Sequence, residues 1–235
     1  MDNSAPALQK PQVVQAMFNR IAPTYDLLND CISFGMHRGW KRRACDALSL
    51  KPGSSVLDVC TGTGDLIYPL LERVGASGKV TGLDFSAEML TVAQKRFAEE
   101  PVTLVQGDAL ALPFADNEFD GAIISFGLRN VSDIPKALSE MVRVVKPGGW
   151  VVNLDTNPKP ALPGYWLYFS WIMPRIGQFI SRDASAYEYL CQSTQQFLTP
   201  DELVTRFETL GLKQVSKNAQ SLGAVAMQRG QKPFS

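Results

Sequence analysis

No uninterrupted apolar stretch in this sequence reaches the roughly 20 residues that a membrane-spanning helix needs, so the chain is expected to be soluble or at most peripheral to a membrane. Cysteine is sparse: Cys31, Cys45, Cys60 and Cys191 include no pair at the two-residue spacing of a metal knuckle or redox motif, and no metal site is expected. Cys60 ends an apolar run and reads as a small core hydrophobe. Histidine is nearly missing, with His37 the single example. An excess of charge is missing too, since Lys plus Arg and Asp plus Glu both total 23. A protein that tracks phosphates carries a clear basic excess, so no nucleic-acid partner is expected. Residues 1–11 lack an apolar signal region, which points to a reducing, cytoplasmic setting. There is no internal repeat, no low-complexity tract, and no feature that sets an oligomeric state.

The 235 residues that are there suit one domain with a substantial core. Residues 12–50 read as helical with loops, Val13, Val14, Met17, Phe18 and Ile21 recurring at helical spacing before Pro23. The basic stretch Arg38 to Arg43, with Lys41 and Arg42, reads as the solvated face of a helix. From Lys51 onward strands alternate with helices. Apolar runs at 55–60, 79–84, 102–106, 119–125 and 150–154 predict five strands, separated by helical patterns at 65–74, 86–98 and 134–145. Lys146-Pro147-Gly148-Gly149 stops the last of these helices. Such alternation implies a mostly parallel, doubly wound α/β sheet with helices on both faces. A helix at 200–209 and strand-like runs at 212–217 and 223–227 close the chain.

The sharpest local signal runs from Val56 to Asp65, where a strand enters Thr61-Gly62-Thr63-Gly64 and then a helix. Glycines without a Cβ let a ligand approach the backbone closely. Dinucleotide-binding domains use a similar turn, but their third glycine is replaced here by Ile67, and Asp58 sits in the strand just before the turn. A diphosphate prefers a helix N-terminus free of anions. The ammonium and sulfonium of S-adenosylmethionine suit Asp58 and Asp65 instead; Asp65 also reads as a helix N-cap. Asp84 ends the second strand, 20 residues beyond Gly64, where a carboxylate can accept hydrogen bonds from ribose hydroxyls. Asp108 and Ala109 follow the third strand and suit the exocyclic amine of adenine, and Ser125 closes the fourth. All lie at the carboxyl ends of parallel strands, where open α/β sheets bind ligands.

The sequence resembles the quinone-ring C-methyltransferases of ubiquinone and menaquinone biosynthesis (UbiE/MenG type). The residues that carry the resemblance are Phe18 to Asp26, Asn29 to Trp40, the glycine loop, Gly107-Asp108-Ala109, Ser125-Phe126-Gly127-Leu128-Arg129-Asn130, Arg143 to Gly149, Pro174 to Gly177 and Ala186 to Leu190. It departs from that family at Leu154-Asp155-Thr156-Asn157, at Ala226-Met227-Gln228 and at Cys60-Thr61. The resemblance implies a class I, Rossmann-like methyltransferase fold with an antiparallel last strand and a helical N-terminal lid (1–50), a cofactor-binding core (51–155), a substrate-side insertion (156–199) and a C-terminal helix and strands (200–235). Cofactor contacts are expected from Asp58, Thr61, Gly62, Thr63, Gly64, Asp84, Asp108, Ala109 and Ser125. Within the family the chain looks most like the cyanobacterial and plant branch, which makes 2-phytyl-1,4-naphthoquinol the first expected substrate. Demethylmenaquinol or a ubiquinone-pathway benzoquinol is the alternative. More remote readings are a methyltransferase for another small acceptor, a nicotinamide-dependent oxidoreductase, and a non-catalytic cofactor-binding module.

Methyl transfer to a ring carbon needs electron density there, and a phenol with a pKa near 10 is hardly ionised at neutral pH. A cation or base must therefore face the hydroxyl. Arg129 and Asn130 are the expected catalytic pair, the arginine stabilising the phenolate and the asparagine orienting the oxygen or a water. The competing reading of Arg129 is an ion pair with a loop acid. His37 reads as a surface histidine, and Tyr187 and Tyr189 as either pocket wall or core. Residues 163–180 are aromatic and nearly uncharged, and read as a lid or as a peripheral membrane contact for the lipophilic tail.

Overall fold

The computed structural model describes residues 11–161, 164–167 and 185–234. Strands β1 (Ser55–Val59), β2 (Lys79–Asp84), β3 (Val102–Gln106), β4 (Phe119–Ser125), β5 (Val145–Thr156), β6 (Lys213–Gln220) and β7 (Val225–Gln231) form one sheet in the order β3-β2-β1-β4-β5-β7-β6. Strands β1 to β5 pair in parallel, and β7 runs antiparallel to both β5 and β6. Helices α1 (Pro11–Ile21), α2 (Tyr25–Ser33) and α3 (Met36–Ala47) precede the sheet; α4 (Ile67–Val74), α5 (Ala87–Arg96) and α6 (Ile134–Val144) connect its strands, and α7 (Ser185–Gln196) and α8 (Pro200–Thr209) precede β6.

Side chains alternate across each strand, and this sorts the core onto two faces. Val56 and Ile123 pack with Ala44, Leu70 and Val74, whereas Leu57, Val59 and Ile124 pack with Leu138, Met141 and Phe207. Asp58 shares the parity of Val56, so it points toward α3 and α4. Helix starts follow their chemistry: Ser86 accepts from the Met89 amide, Asp133 from the Lys136 amide, and Thr199 forms a capping box with Glu202. Strand order reverses between β1 and β4, and a crevice opens at their carboxyl ends, as at other switch points of open α/β sheets.

Several boundaries differ from the sequence pattern, the last two strands running on to Gln220 and Gln231, and two of the differences bear on the site. Helix α4 begins at Ile67, after a turn in which the Gly64 amide bonds to the Thr61 carbonyl and the Ile67 amide to the Gly64 carbonyl. Its cap is Leu66 with no side-chain bond, so Asp65 does not cap it. Strand β5 starts at Val145 rather than Trp150 because Val145 pairs with Phe119 across a register shift. Among the described residues no helix is long and apolar enough to cross a membrane. Of the segment 163–180, only 164–167 lies within the described residues; Pro174 to Gly177 and the side chain of Tyr187 lie outside them.

Candidate functional site

Two cavities meet at the switch point. The smaller, about 140 Å³, is walled by Gly62, Asp84, Asp108, Ala109 and Ser125 among others. The larger, about 350 Å³, is framed by apolar side chains including Met17, Ile21, Leu28, Ile32 and Trp40. Phe18, Tyr25, Phe126 and Asn130 line both, and so mark the junction.

Asp84 organises the smaller cavity. Its Oδ2 accepts from the Gly62 amide at 2.8 Å and its Oδ1 from the Ser86 amide at 2.9 Å, which ties the loop after β1 to the loop after β2. Burial holds this carboxyl above its ordinary range despite those amides. Asp108 accepts from the Leu110 amide at 2.9 Å. Helix α1 crosses the opening, where Gln15 donates to the Phe85 carbonyl at 2.8 Å and the Ser86 hydroxyl donates to Asn19 Oδ1 at 2.7 Å. Gly62 adopts φ +57°, and a Cβ there would come no nearer than 3.9 Å to any side chain, Tyr25 being the closest. Cys60, half-buried at φ +58°, packs against the core as the apolar run suggested and also lines this cavity.

Asp58, Thr61, Thr63 and Gly64 stand behind this wall rather than on it. Asp58 Oδ2 accepts from the Thr61 hydroxyl at 2.6 Å, while its Oδ1 is buried with no partner among the described residues. Burial pushes the Asp58 carboxyl up to about 7 against that hydrogen bond. Thr63 donates to Asp26 of α2 at 2.5 Å. Gly64 sits at φ +87°, where a Cβ would strike Phe97 and Ile67, so its glycine serves packing.

Asp65 offers no free charge to a ligand, in contrast to its expected role. Lys41 Nζ lies 2.7 Å from its Oδ2 and Arg96 3.1 Å from its Oδ1. Burial alone would raise this carboxyl, but the two cations outweigh it and hold the group at about 2. Lys41 thus departs from the solvated face predicted for the basic stretch: it is buried, and although burial opposes its charge, Asp65 keeps its ammonium above the ordinary value. His37 is likewise buried and lines the larger cavity, because the α2–α3 turn through Phe34 (φ +50°) and Gly35 (φ +73°) rotates this face of α3 inward.

The second charged group of the larger cavity is Arg129, in a single 3-10 turn, Leu128–Asn130, after β4. Its Nη1 donates to Asp155 Oδ1 at 2.5 Å and to the Phe126 carbonyl at 2.8 Å. The ion pair is present, but its acid lies within strand β5, one residue before its end, and is not a loop residue. Burial disfavours the guanidinium charge; Asp155 overrides it. Asn130 donates to the Phe126 carbonyl at 3.2 Å and accepts from the Tyr189 hydroxyl at 3.1 Å, which makes Tyr189 pocket wall. Phe126 holds a left-handed backbone (φ +56°), uncommon for a non-glycine residue, with its amide bonded to the Leu154 carbonyl. Lys41 Nζ and Arg129 Cζ each lie 5.8 Å from its ring centroid. Lys41, His37 and Asp155 were the functional neighbours missed from sequence. The signal for Asp155 was there, in the acid following Leu154.

Comparison with known proteins agrees with this geometry. The model of the ubiE/COQ5 methyltransferase family matches residues 7–232. A protein named demethylmenaquinone methyltransferase from Desulfitobacterium hafniense is 44% identical over 232 residues, covering 95% of this chain and 91% of its own. One of the same name from Bacillus cereus is 42% identical, covering 96% and 98%. In fold, the chain is similar to a SAM-dependent methyltransferase structure from Thermotoga maritima, with a TM-score of 0.67 at 20% identity and coverage of 93% and 99%. An Aquifex aeolicus structure of the same description gives 0.61 at 19%, covering 94% and 97%. The chain belongs to the ubiE/COQ5 methyltransferase family and is an S-adenosylmethionine-dependent C-methyltransferase.

Proposed function

We propose that this enzyme methylates a ring carbon of a reduced, demethylated menaquinone. The observation that carries the reading is the apolar larger cavity meeting the smaller one at Asn130 and Phe126, with the Arg129–Asp155 pair beside that junction. The names of the relatives favour demethylmenaquinol over the phytyl-tailed naphthoquinol expected first from sequence, and the two share the same ring. The smaller cavity suits S-adenosylmethionine. Among the described residues its wall has no Lys, Arg or His and includes the carboxylates Asp84 and Asp108, which fits a cation and opposes a diphosphate. On this wall the buried Ser125 Oγ has no partner among the described residues and suits a polar group of a ligand. Gly62, Asp84, Asp108, Ala109 and Ser125 are then its direct contacts, with Asp58, Thr61, Thr63 and Gly64 shaping the loop behind. When bound, the cofactor supplies a methyl group made electrophilic by its sulfonium.

The protein's part is to make the ring nucleophilic and to hold it. Arg129 Nη1 is committed to Asp155 and Phe126, while Nη2 has no hydrogen bond among the described residues. Nη2 is thus available to a quinol oxygen, whose ionised form it stabilises. Asn130 keeps one N–H for the same oxygen, its amide oriented by Tyr189 and Phe126. Phe18, Tyr25 and Phe126 restrict the ring at the junction and exclude water. We read residues 1–50 as a lid over 51–155, with 156–199 on the substrate side and 200–235 closing the sheet.

The test is turnover with labelled S-adenosylmethionine and the reduced demethylated precursors of menaquinone, phylloquinone and ubiquinone. Label is expected on the naphthoquinol ring carbon, and Arg129→Met is expected to cut kcat at least a hundredfold at saturating quinol, roughly the loss of one stabilising donor. Label on none of the rings, or unchanged turnover in Arg129→Met, would overturn the proposal.

A further inference from the structure

His37 is not used by the chemistry above, yet it is built into the larger cavity with a defined proton arrangement. Ser33 donates its hydroxyl proton to the Asn29 carbonyl at 2.6 Å, one turn back on α2. Having spent its only proton there, Ser33 Oγ can only accept from His37 Nδ1, 2.7 Å away. The Nδ1 position therefore carries the imidazole proton, and Nε2 is left with a bare lone pair. Nε2 has no hydrogen bond among the described residues. The charged groups facing the ring are Asp30 from α2 (4.0 Å), Asp65 from the glycine loop (3.8 Å), and Lys41 and Arg38 from its own helix. Both acids are already engaged, Asp65 with Lys41 at 2.7 Å and Asp30 with Arg38 at 2.6 Å. Burial and the Lys41 ammonium outweigh the two carboxylates and hold the imidazole below its ordinary value, which favours the neutral ring.

The Arg129 end of the cavity presents donors, which a carbonyl oxygen can satisfy as well as a hydroxyl oxygen. That end does not by itself require a ring O–H. The His37 end does, because a bare nitrogen needs an O–H opposite it. Lys41, which pairs with Asp65 beside His37, and Arg129 each lie 5.8 Å from the Phe126 ring centroid, so the His37 and Arg129 ends of the cavity flank that ring.

We infer that His37 Nε2 accepts the hydrogen bond of the substrate hydroxyl farther from Arg129 and thereby selects the reduced ring over the oxidised one. The inference rests on the reading of the larger cavity as a quinol site. A quinol gains a hydrogen bond there; a quinone sets lone pair against lone pair and leaves a buried acceptor unpaired. Nothing in this step changes the ring's oxidation state.

The experiment measures binding, not turnover. The full chain, saturated with S-adenosylhomocysteine, is dialysed to equilibrium against 2-prenyl-1,4-naphthoquinone in air, or against its quinol kept reduced by dithionite under nitrogen. The wild type is expected to favour the quinol about tenfold, the worth of one buried hydrogen bond. His37→Phe is expected to bring the ratio near one, and His37→Gln, whose carbonyl can again accept, to recover part of it. A pH series on the wild type needs no substitution: the preference is expected to collapse on acidification, as protonated Nε2 becomes a donor. A wild type that binds both rings without preference, or a ratio unmoved by pH or by either substitution, overturns the role of His37 alone. A wild type that binds neither ring overturns the quinol site itself.

Discussion

Replacing Asp155 by Asn keeps the shape of the side chain and removes only its charge. The pair it breaks is deeply buried, with Arg129 9% and Asp155 1% exposed. The substituted amide's oxygen would still accept from the Thr156 N–H, as Asp155 Oδ1 now does at 2.8 Å. Its amide nitrogen, however, would face the Arg129 backbone N–H that Asp155 Oδ2 accepts at 3.3 Å, donor against donor. The guanidinium would keep the neutral amide oxygen and the Phe126 carbonyl as acceptors for Nη1 but would be left buried without its countercharge. Breaking one side of a buried pair costs about 3–5 kcal/mol. For a chain of this size that lowers Tm by roughly 6–20 °C, at about 2–4 °C per kcal/mol. Differential scanning calorimetry of Asp155→Asn, Arg129→Met and the double variant Arg129→Met/Asp155→Leu measures it. Because the double variant has no stranded charge, it is expected to lie within about 2 kcal/mol of the wild type, far from the sum of the single losses. Turnover is expected to be low in all three, which separates the stabilising role of the pair from its chemical one. An Asp155→Asn protein melting within about 2 °C of the wild type, or strictly additive single variants, would refute the reasoning.

The glycine loop separates two kinds of loss. Gly64→Ala puts a methyl into Phe97 at φ +87° and is expected to destabilise by about 1–3 kcal/mol in denaturant titrations. Gly62→Ala, with open space at its Cβ, is expected to cost only the roughly 1–2 kcal/mol of its left-handed backbone and, in the folded protein, to weaken S-adenosylhomocysteine binding in calorimetry. Without ligand, Asp58 and Asp65 act oppositely with pH. Asp58, raised from 3.8 to about 7, contributes stability fully present below 3.8 and lost as pH rises through about 7. Asp65, depressed from 3.8 to about 2, contributes stability present above 3.8 and lost as pH falls through about 2. Asp58→Asn is therefore expected to flatten the decline in Tm between about pH 4 and 7, and an unchanged decline would remove Asp58 as its source. Finally, S-adenosylhomocysteine at a hundred times its Kd is expected to add about 2.7 kcal/mol, or roughly 5–10 °C, whereas NADH at the same concentration adds nothing. Equal shifts would contradict the charge argument for the smaller cavity.

Much of the sheet was legible because its strands are short apolar runs bounded by turn residues. β2, β3 and β4 occupy the residues that the pattern indicated. The start of β5 is hidden in the sequence because Lys146-Pro147-Gly148-Gly149 has the composition of a break. In three dimensions this stretch continues the strand, and Gly149 is needed since a Cβ there would come within 2.5 Å of the Asp120 carbonyl. The site was legible in part. Asp84 and Ser125 could be located from their places at strand ends, where the direction of a parallel strand dictates where a ligand sits. Whether Asp58 and Asp65 face that ligand could not, because strand parity turns Asp58 toward α3 and two cations distant in sequence claim Asp65.

His37 and Lys41 show the limit most clearly. By composition they belong to a basic, solvent-facing helix, and nothing in 36–47 says otherwise. Their burial depends on a left-handed turn at 34–35 and on carboxylates supplied by α2 and the glycine loop, none of which local periodicity encodes. From sequence alone came the α/β class, the strand ends that border the smaller cavity, and Arg129 with Asn130 as a polar pair lining the larger one, because strand direction and residue chemistry are local properties. Tertiary structure alone decided which charges are already paired, which nitrogen of His37 is bare, and how the two cavities join. Those are properties of distance between remote segments, and a Coulomb or hydrogen-bond energy exists only once the fold has set that distance.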